Sequence, residues 1–242
     1  MAKEQNLASA ISKSINRKSS KNDGRKVAFR LDDKESPSEI DDWISTGSTV
    51  LDLMVSNQEE GGLPTRKIVE FYGPSGSGKS LIANHALADC QQQGGVSVLI
   101  DTEHAADFDF METIGLDPKG DFLYIPENRL EKIFEMIETT IEKVKEKDED
   151  RPITIVVDSI AGSVTDNERE GEYGKEGYNT DKAIVLSQAM RKINGLISRE
   201  NVLLIFTNQV RTDPSVMYGN PMVTPGGKAV KFHSSVRIRL RN

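Results

Sequence analysis

Residues Gly73 to Ser80 read GPSGSGKS and fit the pattern G-x-x-x-x-G-K-[ST]. That spacing suits the cradling of a chain of phosphates. Gly73, Gly76 and Gly78 let the backbone turn sharply and bring its N–H groups close to phosphate oxygens. Pro74, Ser75 and Ser77 complete the loop. Lys79 supplies a positive charge for the β- and γ-phosphates, and Ser80 offers a hydroxyl to Mg²⁺. Two carboxylates could complete such a site. Asp158 closes the apolar run ITIVVD, where it can hold Mg²⁺ directly or through water, or cap the next turn. Glu103 lies in DTEHAAD, just past VSVLID. There it can polarise a water for attack on a γ-phosphate, or serve as a surface or capping residue. Phe108 and Phe110 read as core residues unless one stacks on adenine. His104 reads as structural.

These groups need a frame. KIVEFY, ahead of the glycine loop, is β-prone, and Lys79 to Gln93 reads as a helix. The positive end of that helix dipole faces the same anion. Val96 to Asp101 reads as a second strand, DFLYIP as a third, and ITIVVD as a strand covered on both faces. NVLLIFTN and SVRIRLRN read as later strands, the last with Arg237, Arg239 and Arg241 on one face. Leu130, Ile133, Phe134, Ile137, Ile141 and Val144 recur at helical spacing, and a further helix is predicted from Asp181 to Ser198. The alternation predicts an α/β fold, a mainly parallel twisted sheet flanked by helices. Asp166 to Thr180 and Val210 to Pro225 fit no element. Both follow strands, so both should emerge at the carboxyl edge of the sheet, where ligands bind in this architecture.

The chain has 242 residues, of which 36% are hydrophobic and 29% charged, enough for one large domain with a small attachment. Its net charge of −7 argues weakly against a general polyanion binder, but the charge is uneven. Lys3, Lys13, Arg17, Lys18, Lys21, Arg25, Lys26 and Arg30 face only Glu4 and Asp23 at the start. Lys228, Lys231, Arg237, Arg239 and Arg241 stand near the end without an acid. Leu7, Ile11 and Ile15 mark a short basic helix, which packs on its own domain or docks on a neighbouring protomer. KSSKNDGRK then reads as a linker. The reading divides the chain into residues 1–40, helix and linker, and 41–242, the core. One cysteine, Cys90, excludes an internal disulfide and reads as a buried thiol, compatible with a cytoplasmic setting. No apolar run approaches a membrane span or a secretory signal.

The glycine loop, DTEHAAD, VVDS, SQAMRK, LLIFTNQVR, MYGNP and PGGKAVKFHSSVR occur in one order. Together with ISTGSTVLDLMVSNQEEGGLPTRKIVEFYG, they resemble the bacterial RecA recombinase family, including its phage members. The resemblance spans about Ile40 to Arg241. It implies a P-loop NTPase core of the RecA type that binds ATP and Mg²⁺. It implies a DNA-dependent ATPase that assembles as a helical filament of identical protomers on single-stranded DNA and exchanges strands with double-stranded DNA. It makes Glu103 the catalytic base and Gln209 the sensor of the γ-phosphate. Asp107 and Phe110 fall at adenine contacts, and Lys231 and Phe232 at a protomer interface. The two unassigned segments correspond to the family's DNA-binding loops. Gly226 and Gly227 can expose N–H groups to phosphates, and Arg191, Lys192, Arg211 and Lys228 can neutralise backbone charge. Ser187 can donate a hydroxyl, and Met217 and Tyr218 can contact bases.

Three departures stand out against that resemblance. Ile184 replaces a family arginine one helical turn before Ser187, with Lys182 nearby as a substitute cation. Pro214 occupies an aliphatic position of the second loop. The chain reaches Asn242 where the family continues into further strands and a small C-terminal domain, which puts full cooperative hydrolysis in question. A ring-shaped helicase or motor, and a weakly hydrolysing recombination mediator, are the alternative readings.

Overall fold

The computed structural model describes residues 7–19, 26–30, 36, 39–40, 42–148, 150–171, 177–212 and 222–241. The chain divides into two units, Met1–Glu39 and Ile40–Asn242. In the first, α1 (Leu7–Ser19) ends on Arg17 and Lys18, where cations suit the negative end of the helix dipole. Leu7, Ile11 and Ile15 are exposed. Asn16 gathers the chain after the helix. Its Oδ1 accepts from the N–H groups of Val27 (2.9 Å) and Ala28 (2.8 Å), and its Nδ2 donates to the Ala28 carbonyl (2.7 Å). Most of the predicted linker, residues 20–25, lies outside the described residues.

The second unit opens with β1 (Trp43–Ile44), α2 (Thr49–Ser56) and β2 (Leu63–Pro64), the two strands pairing antiparallel. Then follow β3 (Lys67–Gly73), α3 (Lys79–Gln92), β4 (Val96–Asp101), α4 (Phe108–Thr113), β5 (Phe122–Ile125) and α5 (Leu130–Lys147). After these come β6 (Ile153–Asp158), α6 (Asp166–Glu170), α7 (Tyr178–Ile197) and β7 (Val202–Gln209). Last are β8 (Arg211–Thr212), β9 (Met222–Val223), α8 (Ala229–His233) and β10 (Val236–Arg239). Six strands form one parallel sheet in the order β10-β3-β7-β6-β4-β5. This is the α/β, RecA-like core read from the sequence.

Two hydrophobic layers enclose the sheet. On one face Ile68, Ile155, Leu204 and Phe206 pack with Ile133, Ile137 and Ile141 of α5 and Leu186, Met190 and Ile193 of α7. On the other, Val69, Phe71, Val156, Leu203 and Ile205 pack with Ala83, Ala86 and Leu87 of α3. Burial on both sides explains why β6 and β7 are continuous apolar runs. Each fully buried aliphatic side chain contributes about 1.5–3 kcal/mol, so the α5 stripe alone holds that helix firmly. Cys90 is buried in the second layer, and burial pushes its thiol pKa up. Among the described residues no helix is long and apolar enough to cross a membrane.

The segment 166–180 is partly helical: Thr165 caps α6 by accepting from Glu168 N, and α7 begins at Tyr178, earlier than predicted. In 210–225, β8 and β9 pair antiparallel. Tyr218, Pro214 and the expected base contact Met217 lie outside the described residues.

Candidate functional site

The carboxyl ends of four neighbouring strands, β3, β7, β6 and β4, meet at one edge. Strand register aligns Gly73 with Gln209 and Asp101 with Asp158. From β3 the chain enters Pro74 to Gly78, with Gly76 at φ +72° and Gly78 at φ +87°. Gly78 caps α3 in a left-handed conformation that a side chain would strain. Lys79 is buried, and its Nζ donates to the carbonyls of Pro74 (2.7 Å) and Gly73 (3.3 Å). Burial lowers its pKa, while Asp158 and Glu103 oppose that shift. The loop thus closes on its own lysine, a cation that phosphate oxygens can take over from the carbonyls.

Asp158 accepts hydrogen bonds from Ser80 and from Thr207 Oγ1 (2.5 Å). Burial raises its pKa; these two hydrogen bonds oppose the rise, and Glu103 and Asp101 reinforce it. A hard divalent cation fits here. The Ser80 hydroxyl and Asp158 carboxylate are oxygen donors in contact, and neighbouring carboxylates leave negative charge unmet. Among the described residues no cluster of three or more His, Cys, Asp or Glu could hold a metal.

Glu103 is exposed beyond β4, and its Oε1 accepts from Ser159 Oγ (2.6 Å) and Gln209 Nε2 (3.4 Å). Its backbone is fixed by Asp101. This buried carboxylate accepts from the N–H groups of Glu103 (3.0 Å) and Ala106 (2.9 Å) and from the Tyr124 hydroxyl (3.2 Å). Thr102 and Ser159 exchange hydrogen bonds of 2.8 Å each, which lock the ends of β4 and β6 together. Val210 N donates to the Gly73 carbonyl at 3.3 Å, tying the end of β7 to the phosphate loop. Asp101, Ser159 and Thr207 were missed in the sequence. For Asp101 the available signal was a carboxylate ending a buried strand, in the same position as Asp158.

A cavity of 220 Å³ adjoins these groups, lined in part by Ser80, Asp101, Glu103, Asp107, Phe110 and Asp158. Asp107 caps α4, its Oδ1 accepting from Phe110 N at 3.0 Å. Phe108 and Phe110 are exposed, not core, because α4 lies along the rim of the sheet edge. Phe108 stands edge-on to Tyr124, ring centroids 5.0 Å apart. His104 is also exposed, at φ +53°.

The RecA N-terminal domain family matches residues 7–242. The chain belongs to the RecA family. It is 41% identical over 82% of its length to Protein RecA of Macrococcus caseolyticus, covering 53% of that protein. It is 42% identical over 82% of its length to Protein RecA of Staphylococcus carnosus, of which it covers 53%. Against Protein RecA of Chloroherpeton thalassium the identity is 41% over 82% of this chain and 52% of the relative. The chain therefore spans about half the length of these relatives.

Of the described residues that the RecA resemblance assigns to DNA, Ser187, Arg191 and Lys192 lie on α7, and Gly226 and Gly227 approach Leu186 and Ala183 of the same helix. Arg191 Nη1 donates to Ser187 Oγ at 3.0 Å, one helical turn apart. Lys192 Nζ donates to Glu138 Oε2 of α5 at 2.5 Å, an exposed ion pair of the weak surface kind that a phosphate oxygen can displace. Ile184 is exposed on α7. Lys182 does not substitute for a cation there: it is buried, and its Nζ donates to the Ser163 carbonyl at 2.5 Å. Burial lowers its pKa to about 8; Glu168 works against the shift and Arg211 adds to it. Gly226 packs so closely on α7 that a Cβ would stand 2.4 Å from Leu186 Cδ1. Arg211, Gly227 and Lys228 are exposed. Lys231 and Phe232 of α8 are exposed too, Phe232 at 74%. Arg237, read as sharing one strand face with Arg239 and Arg241, is ion-paired with Glu70.

Proposed function

We propose that this chain is the ATPase core of a DNA-dependent recombinase. It binds Mg-ATP, assembles with identical protomers as a helical filament on single-stranded DNA, and pairs that strand with homologous double-stranded DNA in recombination and repair. The setting is the cytoplasm of a bacterium or of a phage-infected host.

One observation carries this reading. The Glu103 carboxylate is shared between Ser159 at the end of β6 and Gln209 at the end of β7, and Gln209 leads directly into the 210–225 connection. In this reading Gly73, Pro74, Ser75, Gly76, Ser77, Gly78 and Lys79 cradle the phosphates, and Asp107 and Phe110 bound the adenine. Ser80 and Asp158 would hold Mg²⁺, which when bound neutralises phosphate charge. Glu103 orients and deprotonates the attacking water. Gln209 now shares the carboxylate that faces the γ-phosphate, so the presence of that phosphate is felt at the root of the connection. Ser187, Arg191, Lys192, Arg211, Met217, Gly226, Gly227 and Lys228 contact the strand mainly through its backbone, which reads no sequence and suits a protein that accepts any strand. The residues 1–40 and the α8 pair Lys231 and Phe232 serve contacts between protomers.

The test is phosphate release from ATP with and without single-stranded DNA, alongside imaging with a non-hydrolysable ATP analogue. DNA-stimulated turnover and helical filaments are expected. Turnover indifferent to DNA, or closed rings, would defeat the reading.

A further inference from the structure

Val202, Leu204 and Phe206 alternate into the core on the α7 face of β7. The next position on that face is Asn208, fully buried. Its Nδ2 donates to Glu70 Oε1 (3.1 Å) and to the Pro225 carbonyl (3.3 Å). Its Oδ1 has no partner among the described residues. A buried amide with an unmet acceptor is costly and calls for an explanation beyond packing.

Glu70 supplies part of that explanation. It is fully buried in β3, and its other oxygen, Oε2, accepts from Arg237 Nε at 2.5 Å. The Arg237 guanidinium lies 4.4 Å from the centroid of the Tyr72 ring. A carboxylate so fixed accepts only donors, so the Asn208 amide must turn its nitrogen toward Glu70. The second hydrogen of that nitrogen then points at Pro225. Pro225 is followed by Gly226, clamped against Leu186, and by the start of α8. Residues 208 and 209 point to opposite faces of β7. Gln209 meets Glu103 on one, and Asn208 holds the far end of the 210–225 connection on the other.

We propose that Asn208 is a positioning residue. Its amide, oriented by the Glu70–Arg237 pair, fixes the C-terminal root of the 210–225 connection to the same strand end that carries Gln209. A displacement of that strand end at the nucleotide then moves both ends of the connection together. The consequence for DNA rests on the function proposed above; the anchoring itself does not.

The test compares Asn208→Ala with Glu70→Gln. Glu70→Gln has one acceptor oxygen where the carboxylate has two, so Arg237 and Asn208 compete for it and the Asn208 amide is no longer held to one orientation. A merely structural role speeds exchange throughout the sheet, at residues 202–206 as well; loss of the anchor speeds it at residues 226–230 alone. Amide hydrogen exchange of the nucleotide-free protein is read at residues 226–230. Asn208→Ala is expected to speed exchange there by about tenfold or more, a local opening; Glu70→Gln is expected to speed it by a smaller factor, and exchange at residues 202–206 is expected to stay near wild type in both. In the second readout, the ratio of single-stranded DNA affinities with an ATP analogue and with ADP is expected to fall by about fivefold or more in Asn208→Ala, a coupling-sized change, and by less in Glu70→Gln. Nucleotide affinity is expected to hold. Wild-type exchange at residues 226–230 in Asn208→Ala, or equal acceleration at residues 202–206 and 226–230, overturns the proposal. If the wild-type protein shows no nucleotide-dependent DNA affinity, the recombinase reading fails and the exchange comparison still decides the anchor.

Discussion

The two faces of the sheet are prepared to different degrees. On the α3 face, Lys79, Asp101, Glu103, Asp158 and Gln209 are already joined by hydrogen bonds to strand ends or loop carbonyls. Strand register aligns Gly73 with Gln209 and Asp101 with Asp158, and hydrogen bonds at the strand ends hold Lys79 and Glu103 beside them. Around α7, the groups proposed to meet DNA are dispersed. Arg191 rests on Ser187, Lys192 pairs with Glu138 at the surface, Lys182 is drawn inward, and Arg211 and Lys228 are exposed. The lesson is that the proposed phosphate site is preorganised, whereas the proposed nucleic-acid surface depends on connections that the sheet only roots. β7 belongs to both, because alternate residues face opposite ways.

The largest expected break in that contrast comes from Glu103→Gln. It removes the proposed base and keeps a side chain of the same shape for Ser159. Turnover should fall by about 10²–10⁴-fold, the usual contribution of general base catalysis. Nucleotide affinity should change little, as steady-state phosphate release and fluorescent-nucleotide titration would report. Equal loss of both would remove Glu103 from that role.

Lys79→Ala acts earlier. The ammonium holds the loop in shape through the Gly73 and Pro74 carbonyls and would face the phosphates of bound ATP. Loss of its charge-assisted hydrogen bonds, worth roughly 1.5–3 kcal/mol each, should weaken ATP binding about 100-fold. The same titration measures it, and ATP-dependent DNA binding should vanish with it.

Arg191→Ala sharpens the contrast from the other side. DNA affinity should drop several-fold at low salt, and the slope of log affinity against log salt should shrink by about 1. Nucleotide affinity should stay as it was. An unchanged salt slope would mean that Arg191 meets no phosphate.

The smallest effect concerns Lys182 and is one of stability. Its folded pKa of about 8 lies below the ordinary lysine value of 10.5. Between those values the folded lysine has lost its proton while the unfolded one keeps it. Stability therefore rises with pH across that window, and the penalty for the buried cation is full below it. Relative to Lys182→Met, wild-type stability should gain up to about 3 kcal/mol from pH 7 to above pH 10. Denaturant titrations at several pH values measure the difference. A flat difference would place the lysine in water.

Much of this was legible in the chain itself. The 3–4 spacing of Leu130 to Ile141 foretold the buried stripe of α5, and ITIVVD foretold a strand covered on both sides. The glycine loop and the two acids followed from residue type and position next to strands. Less legible were the short elements. α6 and the β8–β9 pair are too short to show a periodicity, and their form depends on caps and on cross-strand partners. Phe108 and Phe110 looked like core residues because a sequence shows hydrophobicity but not which helix lies on the rim. The ion pair of Arg237 was not legible because its partner is 167 residues away.

The sequence by itself determined the local chemistry: a loop that must turn through glycines, a lysine and a serine beside it, and runs of apolar residues that can only be strands or helix faces. Those are properties of neighbours along the chain. Only the tertiary structure decided that Asp101 would hold the backbone of Glu103, that Lys182 would point inward, and that Glu70 would orient Asn208 against Pro225. The reason is one of distance. Strand order and register bring together groups far apart in sequence, and burial then fixes which of their donors and acceptors must be paired.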